Sequence, residues 1–153
     1  MKRRTLLQGL MLGALMPATL LQAATQPVIQ VYRHPSCGCC GAWMDHLRAH
    51  GFTVQAHQVD DTSAYRERFK MPEQFGSCHT AVVGGYVVEG HVPAREIHRM
   101  LKEKPKAIGL TVPGMPMGSP GMEGAYSDAY DVLLIDAEGR ARAYAHYPVR
   151  RSA

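Results

Sequence analysis

Long hydrophobic runs, internal repeats, low-complexity tracts and a strong excess of either charge are all missing from this 153-residue chain. Its one sustained apolar stretch, TLLQGLMLGALMPATLL (residues 5–21), is broken by Pro17 and falls short of the about 20 apolar residues that a membrane helix needs. An export signal takes the place of a membrane span: Lys2, Arg3 and Arg4 precede the run, and LQA offers a cleavage site after Ala23. Residues 1–23 are expected to be removed, leaving no membrane segment. Arg3-Arg4 followed by Thr5, Leu6 and Leu7 resembles a twin-arginine signal, with Lys2 and Gln8 departing from it, so the Sec and Tat routes both stay open.

The 17 Lys+Arg against 13 Asp+Glu give a formal charge of +4, but three of the basic residues lie in the signal, which leaves about +1 on the exported part. That near-neutrality gives no reason to expect a nucleic-acid partner, and the basic end VRRSA reads as a solvated tail. Residues 24–153 suit one domain with one core. Cysteine is scarce as well, with four in all. Three of them fall within HPSCGCC, at Cys37, Cys39 and Cys40, and the fourth is Cys78. In an oxidising compartment such thiols must be paired, protected or occupied.

The rest of the chain alternates between strand and helix patterns. Val28–His34 is β-branched and stops at Pro35-Ser36, and Cys40–Gly51 then carries Trp43, Met44 and Leu47 at helical spacing. Phe52–Val59 reads as a second strand. Asp61–Met71 reads as a helix with an Asp or Thr cap, closed by Pro72. Thr80–Gly90 has the form of a hairpin around Gly84-Gly85, and Pro93–Lys104 that of a helix with proline at its start. The stretch GLTVPGMPMGSPGMEG, residues 109–124, is a Gly/Pro-rich loop holding Met115, Met117 and Met122. Such a loop is apolar cover, or cover that also supplies thioethers, which bind Cu(I) well and hard ions poorly.

The order strand, Cys turn, helix, strand, helix, hairpin, helix over residues 27–104 resembles a small thioredoxin-like α/β domain. Cys37 and Cys40 hold the CxxC spacing where a helix start lowers thiol pKa values. Two features depart from that pattern: Cys39 adds a thiol within the turn, and Thr80 stands in SCHT where such folds usually carry proline. By analogy with that fold, Cys78 and His79 face the turn.

The stretches HPSCGCCGAWMDHL, SCHTAVVGGYVVEGHVPAREI and GLTVPGMPMGSPGME, with DVLLIDAEGRARAYAHY behind them, resemble the CopG-like copper-resistance proteins, an exported bacterial family. The resemblance implies a thioredoxin-like core with a Met-rich loop and a C-terminal β-hairpin, a periplasmic location and a role in copper tolerance. It also implies copper held by Cys37, Cys39, Cys40 and Cys78, with Met115, Met117, His34 and His79 as further ligands. Adjacent Cys39 and Cys40 cannot readily aim both sulfurs at one ion without backbone strain, and the donors exceed one ion's need. A thiolate-bridged site with more than one copper is therefore expected, able to hold Cu(I) and Cu(II) and to interconvert, store or hand on the metal. Periplasmic copper carriers or exporters are the natural protein partners.

Three other readings compete. Cys37 and Cys40 would serve as attacking and resolving thiols in a thiol–disulfide oxidoreductase, which requires neither Cys39 nor the methionines. Two disulfides would staple the domain, and four thiolates would also suit zinc, leaving the Met loop unexplained. Among the other histidines, His46 and His50 read as solvated, His91 as a turn or capping residue, and His57, His98 and His146 have no identifiable partner. Trp43 reads as packing beside the Cys turn, Tyr32 as a candidate shield and Met71 as either rim or core.

Overall fold

A computed structural model describes residues 26–151, so the export signal expected over residues 1–23 lies outside the described residues. Val28–Arg33 (β1) leads through the Cys turn into Gly38–Ala49 (α1), followed by Thr53–Gln58 (β2) and Ser63–Arg68 (α2). The hairpin His79–Val83 (β3) and Tyr86–Glu89 (β4) comes next, then Ala94–Glu103 (α3). Ala107–Thr111 (β5), Tyr126–Ser127 (β6), Tyr130–Asp136 (β7), Ala141–Tyr147 (β8) and Arg150–Arg151 (β9) complete the order. A seven-stranded sheet runs β2-β1-β3-β4-β5-β7-β8, and β6 pairs with β9. β1 is parallel to β2 and antiparallel to β3, β4 is antiparallel to β3 and parallel to β5, and β7 is antiparallel to both its neighbours.

Strand alternation sorts the side chains into two apolar layers. Ile29, Val31, Ala81, Val83, Val88, Leu110 and Leu134 pack with Trp43 and Leu47 of α1 and Ile97 and Met100 of α3. Val87 and Ile135 turn to the opposite face and meet Met71, Phe69 and Phe75. The α1 contribution follows from its sequence, since Cys40, Trp43, Met44 and Leu47 recur at helical spacing and are buried. Among the described residues no helix is long and apolar enough to cross a membrane.

Three expectations change. The second helix stops at Arg68 because Lys70 takes a left-handed φ of 63° ahead of Pro72. Met71 then turns into the core, which settles it as packing. At the helix opening Thr62 occupies the N-cap position without a side-chain capping bond, and the preceding Asp61 carboxylate accepts the Ser63 N–H at 2.8 Å. The Met loop begins later than residue 109, because Ala107–Thr111 forms a strand between β4 and β7. First-helix coils also start earlier, at Gly38, so Cys39 and Cys40 both sit in its first turn.

Candidate metal centre

The Cys turn places three sulfurs at the N-terminal end of α1, whose first turn holds no acidic residue. Unpaired N–H groups there favour negative charge on sulfur. Arg33 braces the turn, its Nη1 donating to the Cys37 carbonyl at 3.3 Å. Cys37 and Cys40 form a disulfide, while Cys39 and Cys78 are free thiols. Reduction of that bond is needed before all four sulfurs can act as thiolates.

The sulfurs of Cys37, Cys39, Cys40 and Cys78 all lie within 4.8 Å of one another. Adjacent Cys39 and Cys40 nevertheless reach different neighbours. Cys39 Sγ stands 3.7 Å from Cys37 Sγ and 3.7 Å from Met115 Sδ, whereas Cys40 Sγ stands 3.8 Å from Cys78 Sγ. The expectation that adjacent Cys39 and Cys40 cannot readily aim both sulfurs at one ion is not met, since both belong to one group of sulfurs close enough to share an ion.

Behind Cys78 lies a second donor group, Cys78, His79 and His91. His79 Nδ1 is 3.4 Å and His91 Nε2 3.2 Å from the Cys78 sulfur. The Pro120 carbonyl, 2.8 Å from His91 Nδ1, can only accept, so His91 carries its proton on Nδ1 and turns the Nε2 lone pair to the site. His79 is fully buried against Trp43, ring centroids 4.2 Å apart, and its Nε2 has no hydrogen-bond partner. The ring nitrogen that meets the sulfur is Nδ1, so it is through Nδ1 that His79 could ligate an ion shared with Cys78. Burial, with His91 adding to it, pushes the His79 pKa down to about 3, and burial also lowers that of His91. Both rings are therefore neutral and able to ligate. Burial and then the Cys39 charge push the Cys78 thiol up to about 12, so Cys78 needs a cation to give up its proton at neutral pH.

Of the expected ligands, the structure brings together Cys37, Cys39, Cys40, Cys78, Met115 and His79. His34 is exposed and its Nδ1 lies 2.6 Å from Ser36 Oγ. Met117 turns to Gly124, where its terminal methyl fills the space of an absent Cβ. His91 is the residue that sequence reasoning missed: it is a donor facing Cys78, not a turn or capping residue. Its position follows from the hairpin. Thr80 pairs with Glu89, and the same antiparallel register continued two residues places Cys78 opposite His91. Trp43 packs beside the site as expected, its indole N–H donating to the Val92 carbonyl at 2.9 Å. Tyr32 stacks on Tyr65 and His57. His46 is half-buried, accepting the Ala94 N–H at 3.1 Å.

Cysteine sulfurs from two separate segments, a thioether and two neutral imidazoles define a candidate centre for a soft or borderline metal ion on an α/β scaffold once the disulfide is reduced. The family described as "Protein of unknown function, DUF411" matches residues 75–122, the segment that carries Cys78, His79, His91 and the methionines. Two solved structures are similar over most of the chain. "Copper resistance protein copG- Form 1" is 48% identical with a TM-score of 0.75, covering 79% of this chain and 97% of its own. "Copper resistance protein copG- Form 2" is 47% identical with a TM-score of 0.76, covering 80% and 98%. No curated protein matches. The chain belongs to the CopG copper-resistance family.

Proposed function

We propose that this is a periplasmic copper-binding protein that serves copper tolerance, holding more than one copper ion in a thiolate-bridged site and interconverting Cu(I) and Cu(II). The observation that carries the reading is the convergence of the four cysteine sulfurs from the α1 turn and the strand β3 entrance, extended by Met115 on one side and His79 and His91 on the other. Those are more soft donors than one Cu(I) uses. Residues Met117 and His34 belong to an outer rim that closes on a loaded site. The Cys37–Cys40 pair supplies a source of electrons: two thiolates closing to a disulfide release two electrons, which reduce two Cu(II) to two Cu(I), and an external dithiol, itself oxidised to a disulfide, returns two electrons and two protons to reset the pair. Residues 1–23 direct export, residues 24–153 form the working domain, and a carrier or exporter exchanges copper with it. The scaffold is of thioredoxin type, supported by the order β2-β1-β3-β4 with a parallel first pair and an antiparallel hairpin.

Anaerobic Cu(I) titration of the reduced protein against a competing chelator tests this. Two or more coppers per chain, weakened by Cys78→Ser, are expected; binding below one copper sinks the reading. A second reading, thiol–disulfide exchange through Cys37 and Cys40, is favoured by the disulfide those residues form at a helix start. Efficient insulin reduction without copper binding would select it.

A further inference from the structure

Arg66 and Glu89 are buried on the opposite face of the sheet from His79, with 5% and 0% of their side chains exposed, and neither is among the donors. Burying such a pair costs desolvation that only excellent geometry offsets. Their contacts converge on one residue, Ser77. Glu89 Oε1 accepts the Ser77 N–H at 2.7 Å, and Arg66 Nη2 donates to the Ser77 carbonyl at 3.1 Å, so both polar backbone groups of Ser77 are held. The pair closes on itself through Arg66 Nε and Glu89 Oε1 at 3.1 Å, and Arg66 Nη1 also donates to Glu73 at 2.6 Å. Glu89 Oε2 accepts the Thr80 hydroxyl at 2.7 Å, which fixes the residue two beyond Cys78. Gly76 makes the approach feasible, because a Cβ there would stand 2.7 Å from Arg66 Cζ. The Ser77 side chain turns the other way, its hydroxyl donating to the Gly114 carbonyl at 2.7 Å with its oxygen 4.0 Å from Cys78 Sγ. Ser77 thus precedes the thiol Cys78 and grips the residue that precedes the thioether Met115.

We propose that Arg66, Glu89 and Ser77 are positioning residues for copper: the buried pair fixes the Ser77 backbone and so Cys78, while the Ser77 hydroxyl ties the Met115 loop to the same point. The inference rests on the copper reading above. Two donors 37 residues apart in sequence, Cys78 and Met115, are thereby set in one register before metal arrives. Such preorganisation by groups behind the ligands raises metal affinity.

A double-mutant cycle on the reduced protein, read by anaerobic Cu(I) titration, separates positioning from general stability. Ser77→Ala leaves the ion pair intact and is expected to weaken Cu(I) binding about tenfold, with an unchanged melting temperature. In a Met115→Leu background the same substitution should have no further effect. Glu89→Gln should weaken binding in the wild type and not in Cys78→Ser; if that variant does not fold, the Ser77→Ala cycle decides. Unchanged binding by Ser77→Ala, or equal weakening with and without Met115, overturns the proposal while a copper-binding wild type sensitive to Cys78→Ser leaves the copper reading standing. A wild type that takes up no copper overturns both.

Discussion

Replacing Gly121 by alanine tests how the Met loop is seated. Gly121 has a φ of +88°, and an added Cβ would stand 2.8 Å from the Trp43 nitrogen and 3.0 Å from the Cys39 oxygen. Those are backbone atoms of α1, which cannot give way without moving the cysteines. A left-handed conformation costs an L-residue about 1–2 kcal/mol, and overpacking against fixed atoms adds about 1–3 kcal/mol. The expected loss is therefore about 2–5 kcal/mol, read as a lower urea midpoint at constant m. The same push displaces Pro120, whose carbonyl sets the His91 tautomer, so Cu(I) affinity should fall alongside. A stability loss under about 0.5 kcal/mol, the range of an ordinary surface substitution, with copper affinity intact would refute the seating of this loop on α1.

Three further outcomes are expected. Because the Cys78 thiol stays protonated until about 12, copper binding at pH 7 should release its proton into a weakly buffered solution, and Cys78→Ser should release one fewer. His79 is held at about 3 in the folded chain, against about 6.5 for a free imidazole, so the unfolded state binds the extra proton between those values and stability falls as pH drops through that window. Urea unfolding at several pH values should show a shallower decline for His79→Phe than for the wild type, and parallel profiles would contradict the burial argument. Trp43, the single tryptophan, lies 4.2 Å from His79 between ring centroids, so its emission should be quenched as copper binds and recover on chelation; emission indifferent to copper would place the metal away from His79.

Local patterning made much of this readable. Val28–Arg33, the Trp43, Met44 and Leu47 stripe and the Gly84-Gly85 hairpin all express a single periodicity or turn type, and each formed where it was expected. What escaped notice depended on pairing at a distance. Ala107–Thr111 is short and contains Gly109, and it is a strand because β4 and β7 flank it on both edges. His91 sits between Gly90 and Pro93 in the sequence, a setting that suggests a turn, and only the hairpin register carries it to Cys78. The signal was present: Val83 opposite Tyr86, followed down the ladder, leads to Cys78 opposite His91. Four cysteines were legible as a cluster, and the CxxC spacing already singled out Cys37 and Cys40, the pair that forms the disulfide.

Helix geometry and hairpin register together give the site two poles. Successive residues in a helical turn point about 100° apart, so Cys40 enters the core at 0% exposure while Cys39 faces Met115, itself 49% exposed. The inner pole, Cys40 with Cys78, His79 and His91, has neutral imidazoles and a thiol that resists ionisation, with Cys40 and both rings buried and Cys78 partly so. The outer pole, Cys39 with Met115, is open. On the copper reading, the energetic cost of the inner pole's burial is offset only when a cation draws the proton from Cys78, which makes that pole the firmer binding place. Copper then enters and leaves past Cys39 and Met115, where soft donors meet solvent and a partner's own donors can compete. Adjacent cysteines in one turn are what join the two poles, since one backbone step carries the ligand field from the surface to the core.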